Sequence, residues 1–161
     1  MPTTAMDKAR EFLALKRMAL GGISRNEKDF SRGIYRELVR RGFVVVPVNP
    51  ALAEVEGRPC RARIQDVRPP PEVALLLTSP ERTEQVVRDC LEAGVRRVWM
   101  HRGVGPGAVS PKAVAFCEAN GIEVAAGVCP FMALPGSAWP HRLHGFFRRR
   151  ALRHEARVPS S

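Results

Sequence analysis

Residues 43–50 read Phe43-Val44-Val45-Val46-Pro47-Val48-Asn49-Pro50, and this stretch decides the fold. Phe43 to Val48 is continuously apolar and rich in β-branched valine, and Asn49-Pro50 stops it. An apolar run without polar alternation predicts a strand buried on both faces. Such strands belong to parallel sheets covered by helices on either side.

The flanking sequence agrees. Upstream, Ser31 is placed to cap a helix over Arg32 to Arg41, with Ile34, Tyr35, Leu38 and Val39 on one face and Gly42 as its stop. Before it, Arg17 to Gly22 reads as a short strand ending in glycines, and Ile23 to Phe30 as a polar loop. Met6 to Lys16 carries apolar residues at Met6, Ala9, Phe12, Leu13 and Leu15, the spacing of an amphipathic helix. Downstream, Ala51 to Pro71 is irregular, with prolines at 59, 69, 70 and 71 and a short helical turn at Ile64 to Val67. Val73 to Thr78 is the next buried strand. Ser79 and Pro80 open a helix to about Ala93, closed by Gly94. Arg96 to His101 is the fourth strand, with Trp99 turned inward. Ser110 to Asn120 is the next helix, with Pro111 at its first position and Gly121 as its stop, and Ile122 to Ala126 is the fifth strand.

Strands alternate with helices, which implies parallel pairing and right-handed crossovers. The expected architecture is an α/β, Rossmann-like three-layer sandwich with about five parallel strands. It is expected to occupy residues 1–135, followed by a basic tail over 136–161, helical from His141 to His154.

The chain has 161 residues, 45% of them hydrophobic, which suits one globular domain with a full core. No apolar run approaches the roughly 20 residues of a membrane span. Met1 to Arg10 lacks the apolar core of a signal peptide, so a cytoplasmic protein without a membrane partner is expected. Cysteines stand at 60, 90, 117 and 129, with no C-x-x-C pair and no histidine at metal-ligand spacing. They read as reduced thiols, and no metal site is expected. The net charge of +10 suits an anionic partner: nucleotide phosphate, nucleic acid or a membrane surface. Much of that charge lies in the tail, at Arg142, Arg148, Arg149, Arg150, Arg153 and Arg157, where Phe146-Phe147 adds an aromatic element.

In open parallel sheets a ligand binds outside the carboxyl ends of the strands. That rule selects the loops at 21–31, 49–50, 78–80, 101–107 and 127–132. In the first, Gly21-Gly22 lets backbone approach a pyrophosphate, Ser24 offers a hydroxyl, and Ser31 caps a helix whose free N–H groups favour an anion. Lys28 and Arg32 add positive charge. The spacing is not G-x-G-x-x-G, and a tight strand–helix turn without a ligand fits these residues equally well. The second loop discriminates better. An NAD domain usually ends strand two in Asp or Glu, for the ribose hydroxyls, whereas this chain has Asn49-Pro50. His101 at the end of strand four either reaches a ligand or is hydrogen-bonded locally. There is no G-x-S-x-G elbow, no His–carboxylate pair at helical spacing and no acid pair in the crevice loops. Binding without catalysis is the expected role.

The order A-L-G-G-I-S, F-S-R-G-I-Y-R-E-L, V-V-P-V-N-P, E-V-E-G-R-P-C, L-L-L-T-S-P-E-R, R-R-V-W-M-H-R-G and V-A-A-G-V-C-P-F-M resembles the standalone CoA-binding domain family over about residues 17 to 132. That family is similar to the CoA-binding domain of the succinyl-CoA synthetase alpha subunit. The resemblance implies coenzyme A or an acyl-CoA as ligand. It implies Gly22, Ile23, Ser24 and Ser31 at the pyrophosphate, Asn49 and Pro50 flanking the adenosine, and Thr78 on the opposite wall. Lys28-Asp29-Phe30 departs from the family, which often has Pro or Ser there. Asp29 beside a phosphate is unfavourable unless Lys28 or Arg32 offsets it. The 3′-phosphate of CoA gives Lys28, Arg25 or Arg32 a further partner. An NAD or other nucleotide-binding protein is the alternative. A nucleic-acid-binding protein using the tail ranks below both, and small domains of this type often pair into homo-oligomers. Cys129 is expected at the crevice rim. Either a helix N-terminus or Arg102 favours its thiolate and a mixed disulfide with the CoA thiol, or it is buried and inert.

Overall fold

The computed structural model describes residues 2–103 and 105–136, so the expected tail helix lies outside the described residues. The chain opens with α1 (Ala5–Leu13), capped by Thr4. The Thr4 hydroxyl accepts from the Asp7 N–H at 3.1 Å and the Asp7 carboxylate accepts from the Thr4 N–H at 3.0 Å, a reciprocal capping box. The helix ends short of the expected Lys16, because the N–H groups of Ala14 and Leu15 bond three residues back and tighten the last turn.

Then follow β1 (Arg17–Gly21), α2 (Phe30–Arg40), β2 (Val44–Val48), a hairpin of β3 (Glu54–Val55) and β4 (Arg58–Pro59), a 3₁₀ turn (Ile64–Asp66) and β5 (Val73–Leu76). The order closes with α3 (Pro80–Ala93), β6 (Arg97–Met100), α4 (Pro111–Ala119), β7 (Glu123–Ala126) and α5 (Pro130–Ala133). The main sheet is wholly parallel and five-stranded, in the order β2-β1-β5-β6-β7. Its two faces feed separate cores. Met18, Leu20, Leu75 and Trp99 pack with α1, α2 and α5, while Ala19, Ala74, Leu76, Val98 and Met100 pack with α3 and α4. The fold is therefore the expected α/β, Rossmann-like three-layer sandwich. No helix among the described residues is long and apolar enough to cross a membrane.

The reading of residues 43–48 needs one correction. β2 is an edge strand rather than an interior one, and Val44 is 54% exposed. Pro47 fits an edge, because a proline there removes no bond from a second neighbour. Its carbonyl accepts from the Arg61 N–H at 2.9 Å, and Val48 makes an isolated bridge with Arg61, so the irregular segment partly covers this edge. The segment also contains the hairpin, which the prolines obscured. Glu56 (φ 50°) and Gly57 (φ 76°) form its two-residue turn.

The strand order reverses between β1 and β5. The chain leaves β1 toward β2, then crosses back to pair β5 on the other side of β1. The loops after β1 and β5 consequently diverge at the carboxyl edge and leave a crevice at the switch point.

Candidate functional site: a cleft at the switch point

The crevice is a cleft of about 580 Å³. Its floor is the turn after β1. Gly22 adopts φ +85°, and a Cβ there would stand 2.7 Å from the Leu77 carbonyl carbon and oxygen. Only glycine lets the two central strand ends approach this closely with that backbone.

Gly22, Ile23, Ser24, Asn49, Pro50 and Thr78 all line this cleft. Asn49 ties two of its loops together: its Nδ2 donates to the Ile23 carbonyl at 2.8 Å, and its Oδ1 accepts from the Ala51 N–H at 2.8 Å. Thr78 is buried, with its hydroxyl 2.6 Å from that of Thr83, which donates to the Ser79 carbonyl at 3.0 Å. Ser24 Oγ accepts from the Asn26 N–H at 3.0 Å, which braces the turn.

Lys28, Ser31 and Arg32 do not line the cleft. The cap of α2 is Asp29, not Ser31. Its carboxylate accepts from the Ser31 N–H at 2.9 Å and from the Ser31 hydroxyl at 2.6 Å, while Ser31 Oγ accepts from the Ser24 N–H at 2.8 Å. A carboxylate two residues before Ser31 reaches that N–H directly, and its negative charge suits the positive helix end. Ser31 is thus buried as a link between cap and glycine turn. Arg32 is also buried. Its guanidinium pairs with Glu56 on the hairpin and donates to the Ser24 carbonyl at 3.1 Å. Arg36 holds the other oxygen of Glu56 at 2.5 Å, and Arg36 and then Arg32 keep this carboxyl down at about 2. Lys28 is exposed on the loop, away from the wall.

The wall that sequence reasoning missed comes from the irregular segment and from α3: Arg63, Ile64, Arg82, Gln85 and Val86. The signal for Arg82 was present in S-P-E-R, which places an arginine in the first turn of a helix. It becomes informative only once β5 is known to flank the switch point.

The remaining crevice residues lie elsewhere on the edge. His101 packs its ring against Phe30, with centroids 5.2 Å apart, and burial lowers its pKa. Cys129 stands at the start of α5, but burial pushes its thiol up, outweighing the N–H groups of Phe131 and Met132. Of the two readings of Cys129, this favours the protonated thiol over the thiolate. Arg102 does not supply the missing charge by pairing with the sulfur; its Nε donates to the Gly105 carbonyl at 3.1 Å.

The sequence model described as "CoA binding domain" matches residues 16–135, most of the chain and all of the sheet. The chain belongs to this family of CoA binding domains. Among solved structures, this CoA binding domain is similar to a hypothetical protein from Pyrococcus horikoshii OT3, at 27% identity and a TM-score of 0.71 over 78% of this chain and 86% of that one. A conserved hypothetical protein from Pyrococcus furiosus is 30% identical, with a TM-score of 0.65 over 71% and 95% of the two chains. The domain is also similar to part of a dinucleotide-forming acetyl-coenzyme A synthetase from Ca. Korarchaeum cryptofilum. There the identity is 25% and the TM-score 0.59, covering 68% of this chain and 25% of that one. No curated protein matches the chain.

Proposed function

We propose that this domain binds coenzyme A or an acyl-CoA in the cleft between β1 and β5, in the cytoplasm, without catalysing a reaction on it. The observation that carries the reading is the position of the cleft. It lies at the switch point of a CoA binding domain, over a glycine turn that lets the ends of β1 and β5 come close together. Gly22, Ile23 and Ser24 approach the pyrophosphate, Asn49 and Pro50 flank the adenosine, and Thr78 closes the opposite wall.

NAD fits this wall less well. Asn49 ends β2 where a carboxylate usually holds the ribose diol, and its side-chain amide is already engaged with Ile23 and Ala51. Parallel titrations of the full chain with CoA, NAD and a short DNA duplex test the proposal. The expected result is saturable CoA binding at least tenfold tighter than NAD. Equal or tighter NAD binding, or binding of DNA alone, contradicts it.

A further inference from the structure

We propose that phosphate recognition in this cleft is carried by the α3 wall, with Arg82 as the principal anchor and Arg63 behind it, and not by the amino end of α2. The inference rests on the reading of the cleft as a nucleotide site, but names residues that neither the sequence motifs nor the family resemblance selected.

The two helices that meet the cleft differ in the charge of their caps. At α2 the Asp29 carboxylate takes the Ser31 N–H, and the Asp29 carbonyl takes those of Arg32 and Gly33 at 3.0 and 3.3 Å. A carboxylate therefore stands among the N–H groups that would meet a phosphate at this end. The nearby cation offers no relief, because Arg32 is buried against Glu56. At α3 the cap is the neutral Ser79, whose hydroxyl accepts from the Arg82 N–H at 3.4 Å and whose carbonyl accepts from the Thr83 N–H at 2.9 Å, so that end carries no anion.

The side chains of the cleft point the same way. Arg82 lines the cleft, is exposed, and its guanidinium has no hydrogen-bond or ion-pair partner among the described residues. Glu81 beside it does not line the cleft. Arg63 is 57% exposed and pairs with Asp89 at 2.9 Å, an oxygen that also accepts from Gln65 Nε2 at 2.9 Å. Gln65 stays on Asp89 if Arg63 turns toward a ligand. Arg25, the other cation of the wall, makes a single long bond to the Ala51 carbonyl at 3.5 Å. A guanidinium presents a planar fork of donors that matches two phosphate oxygens, so an unpaired arginine on a nucleotide cleft is suited to a phosphate.

Calorimetry on the full chain tests this with CoA, dephospho-CoA and inorganic pyrophosphate as probes. Hydrogen bonds to charged groups contribute roughly 1.5–3 kcal/mol, so Arg82→Gln is expected to weaken CoA by about 10- to 100-fold. Lys28→Gln is expected to stay within about twofold of wild type. Arg82→Lys keeps the charge without the fork and falls between. A loss confined to CoA assigns Arg82 to the 3′-phosphate, and a loss on all three probes assigns it to the pyrophosphate; both support the anchor. Wild-type affinity in Arg82→Gln, or an equal loss in Lys28→Gln, overturns it. Pyrophosphate binding that depends on Arg82, without CoA binding, keeps the anchor and removes the CoA reading. Tight CoA binding indifferent to Arg82 does the reverse, and no binding of any probe removes both.

Discussion

The carboxyl edge of the sheet has two halves built in opposite ways. Between β1 and β5 the loops diverge and leave a cleft lined by a glycine turn, Asn49, Thr78 and arginines. Beside β6 and β7 the edge is packed. Trp99 Nε1 donates to the Val128 carbonyl at 2.8 Å, and Phe30 contacts both His101 and Phe131 with ring centroids 5.2 Å apart. The strands on both halves are parallel and apolar. The difference comes from the reversal of strand order, which separates one pair of loops and lets the other pair close over the sheet. A loop at the end of a strand is therefore a ligand candidate only where the topology opens it.

This contrast is broken most strongly at Gly22. Gly22→Ala forces a side chain into positive φ, at roughly 1–2 kcal/mol, and drives its Cβ against Leu77 backbone. Denaturant melts are expected to show more than about 2 kcal/mol of destabilisation, with loss of CoA binding. On the packed half, Trp99→Phe leaves the buried Val128 carbonyl without its donor, at about 1–3 kcal/mol. CoA affinity should then stay within about twofold of wild type, and a large affinity loss would mean that the packed half also serves the ligand.

Smaller effects sharpen the comparison. Asn49→Asp removes the donor to the Ile23 carbonyl and sets a carboxylate against it, costing about 0.5–1.5 kcal/mol in a chemical melt. The pH effect is the smallest. Burial lowers the His101 pKa in the fold, so the unfolded chain binds its proton more readily. His101 therefore penalises the fold as pH falls from the unfolded value near 6.5 through the lower folded one, and the penalty is absent above 6.5. Between pH 8 and 5 the wild-type Tm should fall more than that of His101→Gln, and parallel curves would show that His101 does not titrate.

Much of the fold was legible. Gly42, Gly94 and Gly121 stop helices as expected, and the five strands of the sheet fall where apolar runs stand. The strand order was not, because the pattern of a short apolar run is the same at an edge as in the interior; only Pro47 marked the edge. Of the cleft, the glycine turn and the ends of β2 and β5 were legible as local motifs. Asp29 and Ser31 are both good caps two residues apart, and only the backbone decides between them. The pairing of Arg32 with Glu56 spans 24 residues and depends on a hairpin hidden in a proline-rich segment. Arg63 and Arg82 line one cleft for the same reason: long-range topology brings their segments together.

The most direct measurement is a CoA titration of the full chain followed by backbone amide shifts. The account predicts changes concentrated at residues 21–25, 49–50, 62–64 and 77–82, with residues 101–103 and 127–132 nearly still. Shifts concentrated on the β6 and β7 loops, or none at saturating CoA, would contradict it.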